Sequence, residues 1–133
     1  MNLFVDTSVW SLAFRRDNLE ALPETVALSQ ALSAGEVFST GIVLQELLQG
    51  FSRPKASDVL SAHFRAIPLL IPDREDHEAA ARLFSLCRKK GIQTGTIDVL
   101  LAQLCLRHEL TILTTDQDFQ QIARVSELTI WAA

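Results

Sequence analysis

The sequence is poor in cysteine, with only Cys87 and Cys105 in 133 residues. Both fall in apolar, helix-periodic stretches without CxxC or Cys/His spacing, which argues against a zinc site and a disulfide framework and leaves buried free thiols in a reducing compartment. Long hydrophobic runs are also missing. The apolar stretches fall well short of the roughly 18–20 residues that cross a bilayer, so no membrane partner is expected. No basic segment precedes the first apolar run, which Asp6 interrupts almost at once, so a secretory signal is not expected and a cytoplasmic location is. Basic charge is in deficit: twelve Lys and Arg stand against sixteen Asp and Glu, a net charge of −4. That balance disfavours a protein that coats nucleic acid by bulk positive charge. A P-loop, internal repeats, linkers and low-complexity tracts are absent as well. What remains is a chain with 48% hydrophobic residues, of a length that suits one globular domain over residues 1–133.

Short β-prone apolar runs alternate with helix-periodic stretches. Strands are expected at residues 3–5, 36–39, 67–71, 110–113 and 128–131, the third near a sheet edge because Pro68 and Pro72 bracket it. Helices are expected at 23–34, with Pro23 in its first turn and Gly35 past its end, and from Thr40 or Gly41 through 48, with Gly50 as the stop. A loop over 51–56 should lead to a polar helix at 57–65. Asp73 is placed to cap a helix through Lys90, closed by Gly91, and Thr96 to cap one through His108. A short helix from Asp118 through Arg124 completes the pattern, and residues 7–16 are read as a loop after the first strand. Strands alternating with helices predict an α/β fold, a mostly parallel five-stranded sheet with helices on both faces.

Four carboxylates stand in contexts unusual for surface acids: Asp6 after the first strand, Glu46 and Asp98 inside apolar helices, and Asp116 after a later strand. In an open parallel sheet the carboxyl ends of the strands border the ligand crevice, and the helices that follow start there too. Asp6, Asp98 and Asp116 can therefore meet at one rim, with the longer Glu46 reaching back from about a turn and a half along its helix. Each has an ordinary explanation taken singly. Asp6 suits a turn, Asp98 a helix first turn, Asp116 a cap, and Glu46 can extend to solvent. Together, acids without a neighbouring Lys, Arg or His/Cys set call for a hard divalent cation bound through oxygen, Mg²⁺ or Mn²⁺ ahead of zinc.

These residues carry a family resemblance. VDTSVW (residues 5–10), IVLQELLQG (42–50) and TIDVLLAQLCLRHELTILTTDQDF (96–119) resemble, in order, the acid-bearing segments of PIN-domain ribonucleases, and specifically the VapC-type toxins of bacterial toxin–antitoxin pairs. The resemblance implies a metal-dependent endoribonuclease acting on RNA, homodimerisation, and neutralisation by an antitoxin encoded beside it. It implies Asp6, Glu46, Asp98 and Asp116 as the acidic site and Asp118 as an auxiliary acid. Thr7, Ser8 and Thr115 match hydroxyl positions that orient carboxylates or metal-bound waters, although each also suits a turn.

Hydrolysis of a phosphodiester needs an activated water and neutralised phosphoryl charge, which carboxylate-held Mg²⁺ supplies without a side-chain nucleophile. Arg15 and Arg16 are the first candidates for contacting RNA phosphates, while Arg88, Lys89 and Lys90 suit the end of a helix dipole. Trp10 and Phe14 fit either base stacking or burial. His63, His77 and His108 have no spacing that makes a triad or metal set. A haloacid-dehalogenase-type phosphatase would want a second acid where Ser8 stands, and a receiver domain a lysine after Lys90. Two readings remain beside the toxin: a free-standing RNA-processing nuclease, and a non-catalytic PIN-like module, against which the retained acids argue.

Overall fold

A computed structural model describes residues 1–15 and 21–133 of the chain. In chain order, β1 (Leu3–Val5), α1 (Thr7–Phe14), α2 (Pro23–Ala34), β2 (Val37–Thr40), α3 (Gly41–Gly50) and α4 (Pro54–Phe64) make the first half. Then follow β3 (Leu69–Leu70), α5 (Arg74–Lys89), α6 (Thr96–Arg107), β4 (Thr111–Leu113) and α7 (Gln117–Ala123). The sheet order is β3-β2-β1-β4 and every pairing is parallel. Leu3, Phe4 and Val5 are all buried, the mark of a central strand covered on both faces rather than one that alternates between core and water. The core continues through Val9, Trp10, Val43, Leu47, Leu101, Leu104, Ile112 and Phe119.

The expected fifth strand is reduced to a single parallel bridge, Ile130 to Ile112. Ile112 N–H donates to Thr129 O and Trp131 N–H to Ile112 O. With β4 only three residues long, Ile112 alone turns both its N–H and its C=O to the segment at that edge. The segment expected to be a loop after β1 is instead α1, with Asp6 at its N-cap. Trp10 is buried there, its ring 4.8 Å from Phe64 and 6.1 Å from Phe14, so core packing, not base stacking, occupies it.

Smaller shifts have local causes. α4 begins at Pro54, three residues before its expected start, because the fixed φ of proline suits the first helical position. Gly95 holds the N-cap of α6, with Thr96 the first helical residue. Thr40 does sit at the N-cap of α3, but its hydroxyl donates across to Leu70 O and so ties β2 to β3. The Asp73 cap of α5 forms as expected, and Cys87 and Cys105 are buried and free.

Candidate active site

Parallel pairing sets the carboxyl ends of β1 and β4 side by side, joined by Asp6 N–H to Leu113 O at 3.0 Å. Asp6, one residue past β1, is buried at 7% exposure. Its Oδ2 accepts two hydroxyl hydrogen bonds, from Ser8 Oγ at 2.9 Å and Thr114 Oγ1 at 2.8 Å. Those hydroxyls in turn accept backbone N–H bonds, Ser8 from Thr115 at 3.1 Å and Thr114 from Asp116 at 2.9 Å. Thr7, in the first turn of α1, donates to Glu46 Oε1 at 3.2 Å and so meets the acid that reaches back along α3. Asp116 caps α7 by accepting the Asp118 N–H at 2.9 Å.

A cavity of about 440 Å³ opens at this rim, and Asp6, Thr7, Ser8, Glu46, Asp98 and Asp116 all line it together with Gly95, Thr96, Ile97 and Leu101. Carboxylate oxygens of Asp98, Asp116 and Asp118 lie within 4.8 Å of one another. The four acids expected to converge therefore share one cavity, and the auxiliary Asp118 stands beside two of them. Arg15 does not line it: this residue is exposed at the far end of α1, about 12 Å along the axis from the rim. Arg16 lies outside the described residues.

Burial is the main cause that pushes Asp98 up to about 6, and the charges of Asp116, Asp118 and Asp6 add to it, while a hydrogen bond from the Gly95 backbone opposes the rise. Among the described residues, ion pairs join Met1 to Glu36 and Arg107 to Asp73 and Asp76, and none of these pairs involves the five acids of the rim. An all-oxygen set of crowded carboxylates, buried at Asp6, half-buried at Glu46, Asp98 and Asp116 and exposed at Asp118, fits a hard divalent cation, with Asp98, Asp116 and Asp118 close enough to share one directly or through its waters.

Two residues escaped the sequence reading. Thr114, rather than Thr115, supplies the hydroxyl that meets Asp6, and Thr115 contributes its backbone N–H. The TxD spacing before Asp116 is the one signal that could have found it. Asp76 is fully buried, bound to Arg107 at 2.9 Å and to the Asp73 N–H at 3.0 Å; its place three residues after the Asp73 cap was the available clue.

The PIN domain family matches residues 3–125. Ribonuclease VapC11 of Mycobacterium tuberculosis is 30% identical over 128 residues, covering 95% of both chains. Among solved structures, FitAcB from Neisseria gonorrhoeae is similar with a TM-score of 0.78 at 20% identity, covering 98% of this chain and 96% of that one. VapBC2 from Rickettsia felis, bound to a DNA fragment from their promoter, is similar with a TM-score of 0.74 at 17% identity, covering 99% and 100%. With the family match running through residues 3–125 and the relative covered over nearly its whole length, this protein belongs to the PIN-domain family and, within it, to the VapC ribonucleases.

Proposed function

We propose that this chain is a divalent-metal-dependent endoribonuclease, the toxin of a type II toxin–antitoxin pair, working as one domain over residues 1–133. The observation that carries the reading is the convergence of Asp6, Glu46, Asp98 and Asp116, from four separate segments, on one cavity, with none of them in an ion pair among the described residues. These acids are the metal ligands, directly or through water, and Asp118 is auxiliary. Mg²⁺ is the resident ion, with Mn²⁺ as a substitute, because every donor is a hard oxygen. Bound there, the ion would lower the pKa of a water and neutralise phosphoryl charge. The chain's own residues do the rest: Thr7 orients Glu46, Ser8 and Thr114 orient Asp6, and the cap of α7 fixes Asp116.

The substrate is RNA, as the name of the curated relative supports. The partners are a second copy of the chain and an antitoxin protein, the latter supported by the likeness to the VapBC2 structure. No helix among the described residues is long and apolar enough to cross a membrane, and the buried free thiols suit the cytoplasm. Purified protein should cut RNA with Mg²⁺ or Mn²⁺ and not with chelator, and Asp6→Asn and Asp98→Asn should each abolish cutting while the circular dichroism spectrum stays unchanged. Undiminished cleavage by both variants would overturn the assignment.

A further inference from the structure

The cavity of the acids has a neighbour of opposite character. A second cleft, of about 420 Å³, lies between α5 and α6, and Ala81, Phe84 and Ile97 line it together with the polar side chains of His77, Ser85 and Thr96. No carboxylate lines it. Thr96 and Ile97 line the acid cavity as well, so the two spaces adjoin across the first turn of α6. Its size, its mainly apolar lining and its few polar groups are those of a site for a small ligand. Phe84 is half-buried there, and Ile97 is an apolar side chain left exposed.

Charge enters from the end of α5. Asp76, near the start of α5, meets Gln103 and Arg107 near the end of α6, so α6 runs back along α5 and the last turn of α5 stands beside the first turn of α6. In that last turn Arg88 lies over the Phe84 ring, 5.5 Å from its centroid, an i, i+4 neighbour on the same helix face. Arg88 is exposed and in no ion pair among the described residues, and Lys89 and Lys90 follow it. A cation beside an aromatic wall is the combination that holds a single-stranded nucleic acid, the ring taking a base and the cation a phosphate. A phosphodiester cut at the acids carries a nucleotide on either side, which brings one base to the adjoining cleft. That continuity with the acid cavity selects RNA, rather than a second copy of the chain, as the occupant.

We propose that the cleft between α5 and α6 is a base subsite, in which an unpaired nucleobase next to the scissile phosphate packs against Phe84 while Arg88 contacts a neighbouring phosphate. This deepens the function proposed above and rests on it. The full chain carrying Asp98→Asn, which should bind RNA without cutting it, is the background for the test. By fluorescence anisotropy, a short single-stranded RNA of mixed sequence should bind that protein about tenfold more tightly than the same oligomer built of abasic riboses. Adding Phe84→Leu, which removes the ring and keeps an apolar side chain, should erase the difference, and so should Ala81→Trp, which fills the cleft from an exposed position on α5. Arg88→Gln should weaken both oligomers alike and reduce the salt dependence of binding. With Asp98 restored, Phe84→Leu should raise the KM for RNA and leave kcat unchanged. Folded Phe84→Leu and Ala81→Trp variants that keep the full preference for the base-bearing oligomer would overturn the subsite and leave the nuclease reading standing. Should Phe84→Leu fail to fold, Ala81→Trp decides alone. If Ala81→Trp splits a dimer in sedimentation while the preference persists, the cleft belongs to a second copy and the proposal falls. Undiminished cleavage by both Asp6→Asn and Asp98→Asn would overturn the subsite and the nuclease reading together.

Discussion

Burial, reinforced by the charges of Asp116, Asp118 and Asp6, lifts Asp98 from 3.8 up to about 6 even though the Gly95 backbone favours its ionised form. The folded chain therefore holds the Asp98 proton more tightly than the unfolded chain does. Between those two values the native state binds more protons, so metal-free stability is greatest below about pH 4 for this group and falls as pH rises through about 6. Asp98→Asn removes the liability. In chelator at pH 7.5 that variant should melt higher than the unsubstituted protein, by roughly 4 °C if solvent screening limits the effect to about 1 kcal/mol. Below pH 4 the two melting temperatures should converge, and a constant difference across that range would refute the linkage. At this scale the acids were legible because an acid inside an apolar helix or straight after a buried strand is locally anomalous. Thr114 was not legible, since Thr114 and Thr115 are identical in type and only the phase of β4 decides which one turns inward.

Among elements, α5 and α6 are the helix pair whose register is secured by charge. Asp76, in the first turn of α5, sits fully buried between the Asp73 N–H, Gln103 Nε2 and Arg107, the last two on α6. Arg107 also reaches Asp73 at 3.2 Å, where the Asp76 backbone N–H is the main cause that holds the Asp73 carboxyl below its usual range. Removing Arg107 leaves the Asp76 charge buried without its cation, so Arg107→Met should cost about 3 kcal/mol in urea unfolding. A loss below about 0.5 kcal/mol would show that the contact acts as an ordinary surface pair. The body of α5 was readable, because a cap at Asp73, early acids, late bases and an apolar stripe agree. α1 was not: Thr, Val, Trp and Phe are indifferent helix formers, and its end lacks a glycine. Its helicity comes from burying Val9 and Trp10. The last strand failed for a different reason, since its partner offers one residue of edge.

For the whole molecule, the proposed metal site exists only when Asp6, Glu46, Asp98, Asp116 and Asp118 are brought together by the fold, so metal binding there would be coupled to folding. The net charge of −4 is also clarified by that arrangement: with the five acids of the rim set aside, eleven acids face twelve bases, and the rest of the chain is close to neutral. An ion that binds the folded chain at 100 times its dissociation constant adds about 2.7 kcal/mol, or roughly 10 °C for a domain of this size. Thermal unfolding with Mn²⁺ against chelator should show an upward shift of that order at pH 8. The shift should shrink at pH 5, where the ion must displace the Asp98 proton, and should vanish in Asp6→Asn. A shift equal at both pH values would remove Asp98 from the ligands, and one retained in Asp6→Asn would place the ion elsewhere. Because this readout depends on the folded population alone, it separates loss of the metal from loss of the RNA contact, which a cleavage assay by itself merges.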